Sequence, residues 1–191
     1  KNFMQNIIAS LTIIFLIGLV IIRSSMLKKR GITAMNFGKI DKTDFCIPPI
    51  ALFYFYIVFA EAFGWPTLTQ YEFFNSGFIS WIGVLFCLLG LVLFGLSLVS
   101  FGDSFRVGID LDFPDKLVTE GVFSMMRNPI YVAFWMVLFG QFLVFSNWIL
   151  LVYLGAATWL FHRQVLREEE FLDVQYGDEF REYKSRVRRY I

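Results

Sequence analysis

The chain has 191 residues, 57% of them hydrophobic and 24 of them Phe, with a mean hydropathy of +0.61. That composition lies well beyond soluble usage and points to a membrane protein of one compact domain. A net charge of +1 hides strong segregation of basic residues, and the single histidine, His162, excludes a His-based metal cluster built within this chain.

The first apolar segment runs from Ile7 to Ile22 and is followed by Arg23 and Lys28-Lys29-Arg30. Because the basic cluster follows the apolar run, and no small-residue cleavage pattern is evident, a retained anchor is expected rather than a signal peptide. The sequence opens on Lys1 rather than Met, which leaves room for a short leader. The second segment, Phe45 to Phe63, carries Pro48-Pro49 in its first turns, where missing N–H donors do least harm. Glu61 lies near its far end, at the expected interface, and Gly64-Trp65-Pro66 ends it. The third segment, Phe78 to Leu98, is long enough to span with some tilt, and Gly83, Gly90 and Gly95 allow close helix approach. Cys46 and Cys87 lie in apolar stretches with no partner at metal or redox spacing, and read as core thiols.

The next apolar block, Ile130 to Phe161, is uncharged and has a dense polar cluster at each end. It is too long for one membrane helix of about 20 residues, and too short for two full spans plus a turn. Ser146-Asn147-Trp148 supplies a polar turn near its middle. The expectation is a helical hairpin of two short arms whose ends lie on one side of the bilayer. Arg127 and Asn128 then stand beside the run from Arg163 to Glu170. Charged groups gathered at the mouth of a membrane hairpin are costly unless paired, so they are candidates for function.

Basic residues set the orientation. Arg23, Lys28, Lys29, Arg30, Lys39 and Lys42 lie between the first and second segments, and the loop from Gly64 to Gly77 has none. Arg106, Lys116 and Arg127 follow the third segment, and the tail after Phe161 adds Arg163, Arg167, Arg181, Lys184, Arg186, Arg188 and Arg189. The positive-inside rule places the N-terminus outside, with the hairpin mouth, the 99–129 loop and the tail in the cytoplasm. The expected fold is therefore an all-α, multi-pass integral membrane protein. It has three spanning helices and a short helical hairpin, about five membrane helices in all, with a cytoplasmic C-terminal helical tail.

In that tail, Phe171, Leu172, Tyr176, Phe180, Tyr183 and Val187 form one apolar stripe at mostly three- to four-residue steps. Gly177 interrupts it, and Asp178 is expected to cap a second short helix. Lys184, Arg186, Arg188 and Arg189 suit either anionic lipid headgroups or a solvated face. Upstream of the mouth, Leu117 to Phe123 forms a short apolar-and-glycine turn, in which Gly121 permits a backbone turn and free N–H groups can meet a ligand's ring nitrogens. Phe101-Gly102-Asp103-Ser104-Phe105-Arg106 opens the same loop.

Three groups of residues keep a shared order and spacing: Leu117-Val118-Thr119-x-Gly121-Val122-Phe123, then Arg127-Asn128-Pro129-x-Tyr131, then Glu168-Glu169 with Tyr176-Gly177-x-x-Phe180-x-x-Tyr183. This pattern resembles the isoprenylcysteine carboxyl methyltransferases, whose relatives include phospholipid N-methyltransferases and bacterial membrane methyltransferases. The resemblance covers about Phe101 to the C-terminus. It implies S-adenosylmethionine as methyl donor, bound at the cytosolic ends of the helices and partly closed by the tail. It also divides the chain into accessory helices over 1–63 and a catalytic core over 78–191.

Carried over residue by residue, the resemblance gives Arg127 and Asn128 to the donor's carboxylate and Glu169 to its ammonium, with Glu168 as the alternative. Leu117, Val118, Gly121 and Phe123 flank the adenine, and Tyr131 packs or hydrogen-bonds beside the donor. Arg163, Gln164 and Glu168 are the candidates on the acceptor side. Two departures stand out. The family usually has His where this chain has Asn128, and prenylcysteine enzymes carry an arginine at the position aligned with Gln164. A neutral amide removes a bidentate carboxylate clamp, unless Arg163 or Arg167 substitutes from a shifted position. The expected acceptor is a lipophilic small molecule from the bilayer, surrounded by membrane lipid. Its nucleophile is a carboxylate, a phospholipid amine or a thiol, and no nucleic acid or metal partner is expected. A catalytically inactive ligand-binding membrane protein is the non-enzymatic alternative.

Overall fold

A computed structural model of the chain describes residues 3–30, 47–67, 72–102 and 116–191. Cys46, Lys39, Lys42 and the stretch from Asp103 to Arg106 lie outside them. The described residues form six α-helices: α1 (Phe3–Lys29), α2 (Ile47–Phe63), α3 (Gly77–Phe101), α4 (Pro129–Phe145), α5 (Trp148–Tyr176) and α6 (Asp178–Arg186). Three of them, α1, α3 and α5, are long and apolar enough to cross a membrane, whereas α2 and α4 are shorter apolar helices of 17 residues. Large apolar side chains such as Leu85, Leu89, Val92 and Trp159 remain exposed along these helices. A helix keeps its backbone satisfied internally and can turn such side chains to lipid. The protein is an all-α integral membrane protein.

The closest pair is α3 with α4. A Cβ built on Gly83 would fall 2.6 Å from the Gly140 carbonyl oxygen, and one on Gly140 would fall 2.5 Å from the Gly83 carbonyl oxygen. Only glycine fits such an approach, so Gly83 and, against the Ala133 carbonyl, Gly90 serve packing as expected, whereas Gly95 faces open space and makes no close approach. Cys87, also on α3, is buried, and its Sγ lies 3.6 Å from the Val137 carbonyl of α4.

One residue further along α4, Gln141 ties the pair to the N-terminal helices. Its Nε2 donates to the Ala9 carbonyl at 3.1 Å and to Thr12 Oγ1 at 3.4 Å, and its Oε1 accepts from the Tyr54 hydroxyl of α2. A buried amide in an apolar bundle is tolerated because both of its ends are paired.

Residues 146–147 make the expected turn between α4 and α5. Ser146 adopts a left-handed conformation with φ 45° and donates its hydroxyl to the Phe74 carbonyl at 2.7 Å. Asn147 caps α5 by accepting from the Ile149 N–H at 2.8 Å, and its Nδ2 donates to Glu61 at 2.7 Å. The arms are unequal, contrary to the expected pair of short arms. α5 continues unbroken past Phe161 to Tyr176, because the polar run after Phe161 holds no Gly or Pro and consists largely of good helix formers. Gly177 separates α5 from α6, and Asp178 is the first residue of α6 rather than its cap.

Candidate functional site

Pro129 opens α4 at its first turn, which leaves Arg127 and Asn128 just outside the helix with their side chains available. Across the hairpin mouth, Glu168 and Glu169 project from the polar extension of α5. The two sides meet as the sequence predicts. Arg127 reaches Glu169 Oε1 through Nε at 3.1 Å and Nη2 at 2.9 Å, with both side chains almost fully buried. Asn128 Nδ2 adds a longer bond to the same oxygen at 3.4 Å.

The opposite oxygen of Glu169 has a partner that sequence reasoning missed. Arg189 approaches Oε2 through Nε at 3.0 Å and Nη2 at 2.8 Å. This arginine was read as lipid-facing or solvated, yet it joins the site, and hydrogen bonding to Glu169 pushes its guanidinium to a still higher pKa. Two guanidinium groups on one carboxylate leave the cluster with excess positive charge, which suits an additional anion.

The chain after α6 is held in place by its backbone as well. The Arg127 N–H donates to the Arg188 carbonyl at 2.9 Å, and Asn128 Nδ2 donates to the Arg189 carbonyl at 3.1 Å. Arg127 Nη1 also donates to the carbonyls of Val187 and, at 3.2 Å, Lys184. Tyr183 of α6 donates its hydroxyl to the Phe123 carbonyl at 2.6 Å. Burial pushes that phenol up to about 12, so it remains a neutral donor at physiological pH. The tail is thus strapped across the hairpin mouth, and the apolar stripe predicted within it is what docks, through Phe180 and Tyr183.

Glu168, the neighbouring carboxylate, is bound differently. Tyr131 donates its hydroxyl to Glu168 Oε1 at 2.6 Å, and Gln164 Nε2 donates to the same oxygen at 3.0 Å. Gln164 is therefore committed along its own helix. Arg163 lies apart from this network, exposed, with its guanidinium 5.7 Å from the Trp159 ring centre.

The 117–123 segment packs rather than opens. Phe123 is buried in a short 3-10 turn over Gly121–Ser124 and meets Phe101 with ring centres 4.6 Å apart. Gly121 has φ 62° and sits against Ser100, whose hydroxyl accepts from the Val122 N–H at 3.3 Å. Leu117 and Val118 are half-buried beside it.

Between α4 and α5 lies a cavity of about 420 Å³ lined mainly by Tyr131, Trp135, Thr158, Phe161, His162 and Tyr190. Tyr131 belongs both to this cavity and to the Glu168 network, so the cavity adjoins the ionic cluster. Of the other predicted donor and acceptor residues, none lines it. Trp135 and Tyr190 had no signal of their own in the sequence, and His162 stood out only as the single histidine.

This arrangement of α3, a helical hairpin and a charged mouth coincides with the match to a known family model. The model described as "Phospholipid methyltransferase" matches residues 78–179. The chain belongs to the phospholipid methyltransferase family. Its membership makes it a methyltransferase embedded in a membrane, and the non-enzymatic alternative falls away. Among similar proteins, one from rice (Oryza sativa subsp. indica) is named a probable protein-S-isoprenylcysteine O-methyltransferase. It is 28% identical over 167 residues, covering 86% of this chain and 76% of its own. The protein-S-isoprenylcysteine O-methyltransferase of Xenopus laevis is 32% identical over 112 residues, 57% of this chain and 39% of its own. The human protein of the same name is 30% identical over 129 residues, 64% and 43% respectively. The family match begins at α3 and ends inside α6, so it contains Arg127, Asn128, Tyr131, Glu168 and Glu169, while Arg189 and Tyr190 follow it.

Proposed function

We propose that this family member is an S-adenosylmethionine-dependent methyltransferase acting on a lipophilic small acceptor from the bilayer, in the manner of isoprenylcysteine carboxyl methyltransferases. The observation that carries the reading is the buried Arg127–Glu169–Arg189 cluster, with Asn128 and Tyr131 beside it, at the mouth of the matched helices. S-adenosylmethionine supplies an electrophilic sulfonium methyl when bound. Its amino-acid end carries both charges, and the cluster offers both complements. Arg127 and Asn128 take the carboxylate. Glu169 takes the ammonium once Arg189, the more exposed of its two guanidinium partners, moves off Oε2. Glu168 is the alternative, since its two bonds both fall on Oε1. Leu117 and Val118 flank the adenine, on a segment whose shape is fixed by Gly121 and Phe123.

Methyl transfer to a nucleophile asks the protein mainly for aim and for water exclusion. The strap of residues 187–190 closes the mouth, and the cavity between α4 and α5 receives the acceptor's apolar part. Residues 78–191 form the catalytic core and 1–63 the accessory helices, a division supported by the extent of the family match. The basic residues on the connecting segments place the mouth and the C-terminal tail in the cytoplasm. Cysteines introduced at the exposed Ser124 and Ser185 should label from the same, cytoplasmic side. Labelling from opposite sides would overturn both the hairpin and the site.

Donor binding is tested by calorimetric titration in detergent. Arg127→Ala and Glu169→Ala each remove one charge-assisted contact, a loss of about 1.5–3 kcal/mol, or roughly 10- to 150-fold in affinity. Unchanged affinity in both folded variants returns the cluster to a purely structural role.

A second reading of the acceptor is favoured by one observation. Gln164, where prenylcysteine enzymes are expected to place a carboxylate-orienting arginine, spends its amide on Glu168, and Arg163 lies over Trp159. A farnesylated cysteine analogue should therefore be methylated poorly, and Gln164→Arg should raise that residual activity. Robust turnover of the analogue by the unmodified protein would mean that Arg163 or Arg167 supplies the clamp.

A further inference from the structure

The cavity beside the ionic cluster has a polar end that the donor contacts do not use. His162, the chain's single histidine, lines it, and its Nδ1 lies 2.9 Å from the Tyr190 hydroxyl. The rest of the wall is aromatic, aliphatic or already satisfied, since Thr158 accepts from Trp135 Nε1 at 3.1 Å and donates to the Leu154 carbonyl at 2.7 Å. Among the described residues, no Lys, Arg, Asp or Glu lines the cavity.

That lining discriminates between acceptor heads. A carboxylate in this slot meets no Lys or Arg among the lining residues, so its charge is left without an ionic partner. An alkylammonium has no lone pair until it sheds a proton, and it lies about four pKa units above an imidazole. A thiol is neutral on arrival, lies only about two units above an imidazole, and becomes a strong nucleophile on losing one proton.

We propose that the slot takes a lipophilic thiol and that His162 is its general base, with Tyr190 fixing the ring. With the ring proton on Nδ1, that nitrogen donates to the Tyr190 oxygen and Nε2 is left with the free lone pair. The thiol proton passes to Nε2, and the sulfur lone pair forms the new S–C bond to the donor methyl. The electron pair of the broken sulfonium bond stays on the donor sulfur, which leaves as a neutral thioether. The groups that bear on the ring's charge are Tyr190 and Tyr131 across the cavity, Glu168 behind Tyr131, Arg163 next in sequence over Trp159, and Arg189, which is held on Glu169 in the donor-free protein and released from it when the donor binds.

The inference rests on the donor-binding reading above, and the experiment separates the two. Purified protein in detergent is given labelled S-adenosylmethionine with farnesyl thiol or with farnesylthioacetate of the same chain length. The expected product is the methyl sulfide, with kcat/KM for the thiol rising with pH through one ionisation. His162→Gln should abolish that limb and lower kcat about 100- to 10,000-fold near neutrality, with KM nearly unchanged. The gap should narrow at alkaline pH, where the thiol ionises unaided. Tyr190→Phe should give a smaller loss with the pH limb displaced. With a single histidine, nitrogen-15 labelling gives one imidazole spin system, and farnesyl thiol alone should perturb it in donor-free protein. Preference for the carboxylate, or an unaltered pH profile in His162→Gln, overturns the proposal. Donor binding without thiol methylation overturns it alone, whereas absence of donor binding overturns the reading beneath it.

Discussion

Two stretches, the entry to α4 at 127–131 and the interior of that helix at 140–141, solve the same problem in opposite ways. Both bring polar or backbone groups from other elements against α4 in a largely apolar protein. At the middle, Gly140 and Gln141 use neutral groups only, with Gln141 fully buried and paired at both ends of its amide. At the start, a carboxylate sits between two guanidiniums, one buried and one a third exposed. Neutral pairs between helices fix a packing geometry and have nothing to exchange with a ligand. An ion cluster with one exposed member can trade partners with a charged ligand, and that is the difference between a joint and a site.

The largest effect should come from Glu169→Ala, which strands the buried Arg127 beside Arg189 with no counter-charge. Removing one partner of a buried pair costs about 3–5 kcal/mol, so thermal unfolding in detergent should fall markedly, along with donor affinity. A stability like that of the parent would place the cluster on a par with a solvated ion pair. Next, Gly140→Ala forces a Cβ against the Gly83 carbonyl and the Cys87 side chain. Overpacking of this kind costs about 1–3 kcal/mol, read as a lower melting temperature. Gln141→Leu should be milder, since hydrogen bonds between membrane helices average about 0.6 kcal/mol. Its donor affinity should equal the parent's, and a loss there would erase the contrast between the two stretches. Finally, Arg186→Ala breaks only the exposed bond to Glu182 at 3.3 Å and should leave both unfolding and donor titration unchanged.

Much of this was legible in the sequence because hydropathy and charge act over contiguous residues. The apolar runs mark α1 to α4, Ser146-Asn147 marks the turn, and the charged flanks of the 130–161 block bring Arg127 and Asn128 to Glu169. The length of α5 was not legible from hydropathy, which ends at Phe161, although the helix-forming run beyond it carried the signal. Arg189 escaped for a different reason. A tail residue without periodic spacing is assigned by its surroundings, and only the tertiary docking of α6 brings those surroundings to Glu169. The His162–Tyr190 contact likewise joins the middle of α5 to the strap after α6, a pairing no local pattern encodes.

The glycine contact between α3 and α4 has a bearing on the cavity that α4 shares with α5. Tyr131 and Trp135, which form one wall of the cavity, stand on the same helix whose Gly140 is pressed against α3. That wall is braced from behind and has no room to retreat. The width of the slot is then set by α5 and by Tyr190 of the strap, and the contact of α5 with α4 is aromatic and hydrogen-bonded rather than backbone to backbone. In the reading proposed above, α4 is the fixed jaw of a caliper, and the bulk of acceptor admitted reads out how far α5 and the strap yield.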